Sequence, residues 1–209
     1  MLRAESAALL PVLHGLPPAA FDQPTLLPGW SVRDVLAHCS AALMMTVTGQ
    51  FHDFSPESNQ KDVAHRRGWT ITQVLDELAA GYDGAAAAAD RVGGPLDGLA
   101  LGEWVHGGDV RLALGLPDAY ASEGVADALV LLTERSRSRV PATVVTLGSV
   151  PPESGVAREV LRLGPVEEEP VVTLGADAAT LIRICAGRTP DPARFTLSGA
   201  QPEDYLVFA

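Results

Sequence analysis

A chain of 209 residues with 47% hydrophobic content carries enough apolar surface for a full core and has room for one large domain or a domain with a small companion. Its formal charge of −11, from 26 acidic and 15 basic residues, offers no basic footprint for a phosphate backbone or an anionic membrane surface, so neither nucleic acid nor a membrane is an expected partner. No apolar run approaches the roughly 20 residues that span a bilayer, no secretory segment opens the chain, and the two cysteines, Cys39 and Cys185, sit far apart in apolar stretches, which together lead us to expect a reduced, cytoplasmic protein.

The first two-thirds reads helical. Apolar positions at helical spacing run from Leu2 to Gly15 and stop at Pro17-Pro18, which cannot continue a helix. Ser31 can cap a second helix, with Asp34 completing a box-like arrangement and Trp30 before the cap acting as a staple. Val32, Val35, Leu36, Leu43 and Met44 outline its apolar stripe, and His38 lies near that stripe. The polar stretch from His52 to Gly68 reads as a long connection and a candidate lid. A third helix begins at Thr70 and ends at Gly93-Gly94-Pro95, a fourth runs from Leu96 to Leu114, and a fifth from Ser122 to Arg137.

Character changes near Val140. Ala142–Leu147, Arg158–Leu163 and Val171–Leu174 are short β-prone runs separated by Gly and Pro. Asp177 can cap a helix holding Leu181, Ile182 and Ile184, and Phe195–Leu197 and Tyr205–Phe208 offer two more strands. The expected fold class is α+β: a helical bundle over residues 1–139 followed by a small α+β domain over 140–209.

Chemistry-bearing side chains concentrate on two of the helices. Glu103 and His106 are three residues apart and share a broad helical face, and His38 can reach them from a neighbouring helix. Two nitrogens and one oxygen suit zinc or another borderline divalent ion, with coordination positions left for water or a substrate. The alternative is a buried His–Glu hydrogen bond, with the second imidazole satisfied by a backbone carbonyl. Asp109 can orient the His106 ring, or pair with Arg111 or Arg33. Cys39 adjoins His38, but neighbours on a helix diverge by about 100°, so Cys39 is assigned to core packing rather than to a Cys–His nucleophile. His14, His52 and His65 are assigned to the surface. No Walker loop, dinucleotide fingerprint or nucleophile elbow occurs.

The segment Pro28-Gly-Trp-Ser-Val-Arg-Asp-Val-Leu-Ala-His38 resembles the first metal-histidine motif of the mycothiol-dependent maleylpyruvate isomerase group, within the DinB-like helical metalloproteins. His106-Gly-Gly-Asp-Val-Arg-Leu-Ala-Leu-Gly115 resembles the second motif, and Leu174–Arg188 is similar to the glycine–arginine segment of the group's C-terminal domain, which has a sterol-carrier-like fold. The chain departs from the pattern at one position. The group's metal-binding glutamate stands four residues before the second histidine, where this chain has Gly102, and the carboxylate is Glu103.

The resemblance implies a DinB-like bundle in which His38, Glu103 and His106 hold a divalent ion, by expectation Zn²⁺. It also implies mycothiol as a thiol cosubstrate, the metal-bound thiolate as nucleophile toward a small electrophilic substrate, and transferase or isomerase chemistry. By the same resemblance Arg188 is a catalytic candidate steering an anionic substrate, with a structural role at a helix end as the alternative. A homodimer is a further expectation. Gly102 favours a second reading, a non-catalytic metal- or small-ligand-binding protein of the same fold.

Overall fold

The computed structural model describes residues 1–50, 53–148 and 159–207. They divide into two compact units, Met1–Ala119 and Tyr120–Ala209.

The first unit is helical. It contains α1 (Leu2–His14), α2 (Val32–Thr48), α3 (Pro56–Arg66), α4 (Ile71–Val92) and α5 (Asp97–Ala113). Helix α2 begins as the sequence predicts: Ser31 Oγ accepts from the Asp34 amide, and the Asp34 carboxylate accepts from the Ser31 amide at 2.9 Å. This reciprocal box satisfies two amides that a helix start leaves without partners. The same device, Thr70 with Gln73, opens α4. Leu9 and Leu13 of α1, Val35, Leu36 and Leu43 of α2, Val74, Leu75 and Leu78 of α4 and Val110 of α5 fill one apolar core. Helices α2 and α4 approach closely: a Cβ at Gly81 would lie 2.8 Å from Leu43 Cβ.

The stretch expected as a long connection contains a helix. Ser55 caps α3 and Pro56 starts it, and Arg66 fastens its end to α4 by a two-pronged pair with Glu77, at 2.5 and 3.0 Å. Ser40 of α2 donates to the same carboxylate at 2.6 Å, and the Arg66 guanidinium lies 5.3 Å from the centre of the Trp69 ring. Polar composition hid the helix because its hold on the bundle is made by charge-assisted bonds rather than an apolar stripe. His52 lies outside the described residues.

The second unit holds α6 (Val125–Ser136), β1 (Thr143–Leu147), β2 (Glu159–Leu163), β3 (Val172–Ala176), α7 (Ala178–Cys185) and β4 (Phe195–Ser198). Strand order is β2-β1-β3-β4, with β1 antiparallel to β2 and parallel to β3, and β3 antiparallel to β4. Alternation puts Val172, Leu174 and Ala176 inward, against Leu181, Ile184 and Cys185 of α7. Leu132 of α6 joins this second core, so the helix from Val125 to Ser136 packs with the sheet rather than with the bundle, and the unit boundary falls ahead of Val140. Of the run Tyr205–Phe208, read as a strand, Tyr205 instead ends a 3-10 turn over Pro202–Tyr205, and Leu206 and Val207 belong to no strand. Pro202 starts that turn, and the buried Tyr205 hydroxyl shares a 2.6 Å hydrogen bond with Thr143.

Candidate functional site

Helix α2 presents His38 and Cys39 side by side, and α5 presents Gly102 and Glu103 side by side. At about 100° per residue, the members of each pair point in different directions, and the bundle sorts them into two clusters.

The first cluster gathers the histidines. His38 is buried, and its ring lies edge-on to that of His106 with centroids 5.1 Å apart. The turn before α2 places the Trp30 ring against His38 as well, with centroids 5.3 Å apart. That turn is made by Gly29, in the left-handed region at φ 79°, and by Thr25, whose amide and hydroxyl both donate to the Trp30 carbonyl. His106 Nδ1–H donates to Asp109 Oδ2 at 3.1 Å. The Asp109 side chain is 0% exposed and that of His106 is 17% exposed. Asp109 therefore takes the orienting role; Arg111 pairs with Glu5, and Arg33 donates to the Trp69 carbonyl. A carboxylate on Nδ1 fixes the imidazole tautomer and leaves Nε2 as the lone-pair nitrogen.

The second cluster gathers acids around Cys39. Glu103 is 2% exposed, and its carboxyl accepts from the Cys39 thiol. Burial pushes the Glu103 acid up to about 8, against the lowering effect of the Cys39 hydrogen bond and with the help of the nearby Glu5 carboxylate. Glu103 Oε2 is buried with no hydrogen-bond partner. Glu5 is raised as well, by burial that outweighs its bond to Arg111. Burial first, and then the Glu103 carboxylate, hold the Cys39 thiol well above its ordinary value, and Tyr82 is raised for the same two reasons. Thiolate formation at Cys39 is therefore disfavoured, which agrees with its assignment to core packing.

The three side chains expected to hold a metal ion are thus divided between the clusters. Among the described residues, no group of three or more His, Cys, Asp or Glu side chains is arranged to hold one. The two imidazoles fit half of a coordination shell, and Asp109 on Nδ1 is the outer partner such a histidine needs. Glu103, facing Cys39 as a neutral acid near pH 7, does not complete the shell. Arg188 lies just beyond α7, where its amide donates to the Arg183 carbonyl and its guanidinium to the Ala186 carbonyl at 2.6 Å, closing the end of that helix.

The contribution of Glu5 and Arg111 was not foreseen. The signal for it was present: Gly107, in the middle of α5, leaves the gap into which Glu5 fits, and a Cβ there would overlap Glu5 Oε1.

A helical bundle with an imidazole pair at one face, followed by a small α+β unit, defines the class of protein. Residues 2–93 match the family described as "Mycothiol maleylpyruvate isomerase N-terminal domain". The match spans α1 to α4 and so includes His38. No curated protein matches the sequence. Among solved structures, the fold is similar to that of the crystal structure of the mycothiol-dependent maleylpyruvate isomerase, with a TM-score of 0.56 and 17% identity over 96% of this chain and 91% of that one. It is similar also to a histidine-to-alanine variant of that enzyme, with a TM-score of 0.55 and 16% identity over the same shares. The α+β class expected from the sequence is the one observed. No helix among the described residues is long and apolar enough to cross a membrane.

Proposed function

We propose that this protein is a low-molecular-weight-thiol-dependent transferase or isomerase acting on a small electrophilic substrate, with mycothiol as the thiol. The observation that carries the reading is the His106–Asp109 pair beside His38, on a domain of a family named for mycothiol-dependent isomerisation. Asp109 holds the Nδ1 proton, so Nε2 of His106 is the base, in the manner of imidazoles oriented by a buried carboxylate.

The imidazole takes the thiol proton, and the thiolate sulfur forms a bond to the electrophilic carbon of an unsaturated carbonyl substrate. The displaced π pair moves toward the carbonyl oxygen, and the imidazolium returns its proton to the resulting enolate. Release as the thioether completes a transfer. Rotation about the new single bond, loss of the same proton and expulsion of the thiolate give isomerisation, with the thiol regenerated. Trp30 and the buried face of His38 limit water around the reacting sulfur. Cys39 and Cys185 are free and buried, in keeping with a reducing cytoplasm.

The test is thiol-dependent turnover of an unsaturated carbonyl substrate by purified protein and by His106→Ala, with folding checked by circular dichroism. General-base removal is expected to lower turnover by about 10²–10⁴-fold; unchanged turnover in a folded variant overturns the assignment. The inward orientation of Glu103 favours a second reading, a binding protein of the same fold without turnover. Tight thiol binding with no product from any thiol and electrophile would select it.

A further inference from the structure

The separation of Glu103 from the histidines has a geometric cause that goes beyond the proposed function. Positions 102, 106 and 109 of α5, spaced by four and three residues, form one stripe. Two of them are His106 and Asp109, which are bonded to one another, and the third is Gly102, where a Cβ would meet nothing within 4 Å. Positions 103, 107 and 111 form the next stripe. Glu5 lies along it, against the bare backbone of Gly107 and paired with Arg111, and Glu103 shares that side with Cys39.

A carboxylate at 103 is therefore directed by the helix itself to the Glu5–Cys39 side. A carboxylate at 102 would extend into open space on the side of His38 and His106. We infer that the histidine pair of this chain holds no resident divalent ion in a three-ligand protein site, because α5 carries its carboxylate one residue out of register. Gly102 is a position at which that site can be completed, and Glu103 is a core acid whose loss leaves metal affinity untouched.

The experiment is calorimetric titration of untagged, chelator-treated protein with Zn²⁺, with Co²⁺ absorption in the visible as the report on coordination geometry. The variants are Gly102→Glu, Gly102→Asp, Glu103→Gln and Gly102→Glu/His106→Ala. Loss of even an outer partner of a metal histidine shifts affinity by 10–100-fold, so gain of a directly bound carboxylate should tighten Zn²⁺ binding on the order of a hundredfold. Gly102→Glu is expected to bind near one equivalent with an intense tetrahedral Co²⁺ band, and the double variant to lose both; Gly102→Asp serves if the longer side chain impairs folding. Wild type and Glu103→Gln are expected to share one weak isotherm. The inference is overturned if wild type binds one equivalent tightly and Glu103→Gln abolishes it, or if both position-102 variants fold and bind no better than wild type. The readout is metal rather than turnover, so this outcome is separable from that of the His106 test.

Discussion

The two faces of α5 differ by one residue in register and by everything in chemistry. On the Gly102–His106–Asp109 face, imidazoles meet each other and one buried carboxylate, His106 is partly open to solvent, and one lone-pair nitrogen is available. On the Glu103–Gly107–Arg111 face, a neutral acid, a thiol and an ion pair are sealed in the bundle. The first arrangement can move a proton to or from a bound molecule. The second is closed to solvent, and removing one partner of its buried ion pair would cost stability. Identical spacing arithmetic thus yields a partly open imidazole pair on one side and core on the other.

Substitution of Gly107 and of Gly102, one on each face of α5, breaks the contrast most directly. Helix propensity alone favours alanine over glycine by about 1 kcal/mol, yet Gly107→Ala would drive Glu5 off its seat and separate it from Arg111. We expect a loss of roughly 3–5 kcal/mol, the usual cost of breaking a buried pair, measured by urea denaturation. The second-largest effect is in pH. Glu103 titrates near 4.5 when unfolded and near 8 when folded, so between those values the unfolded chain releases a proton that the folded chain keeps. Its contribution is fully present below the unfolded value and declines as pH rises toward 8, by up to about 1.4 kcal/mol per unit. Glu5, raised by burial, slopes the same way. Glu103→Gln should flatten the stability profile between pH 5 and pH 8; an unchanged slope would mean the carboxyl is not buried as described.

Gly102→Ala has the opposite sign from the change at Gly107. With nothing within 4 Å of the new methyl group, it should stabilise by up to about 1 kcal/mol, seen as a higher urea midpoint at constant slope. Cys39→Ser should be the mildest change: the hydroxyl can still donate to Glu103, and we expect a stability shift below about 1 kcal/mol with unaltered thiol-dependent turnover. A large fall in turnover would move Cys39 from the core into the reaction.

Much of the fold was legible from local patterns. The Ser31–Asp34 box, the α4 start at Thr70, the stop at Gly93 and the change to β-prone runs near Val140 all appear where the sequence placed them, because caps and periodicity depend on residues within one turn. Helix α3 was missed because its support comes from Glu77, eleven residues beyond its final arginine. The affiliation of α6 was missed because its apolar face, with Leu132 at its centre, fits either core and only the sheet claims it. Of the candidate site, the His38–His106 proximity and the His106–Asp109 bond were foreseen, whereas the contact of Glu103 with Cys39 was not.

The sequence by itself determined most of the elements, the α+β class and the two imidazoles, since these follow from periodicity, turn residues and the scarcity of histidine in an apolar helix. Only the tertiary structure decided which neighbour each side chain meets. Adjacent residues on a helix point about 100° apart, and the rotation of α5 about its axis is set by packing: Glu5 of α1 fits against Gly107, and Cys39 of α2 meets Glu103. That rotation, fixed by contacts from distant parts of the chain, separates the acid from the histidines.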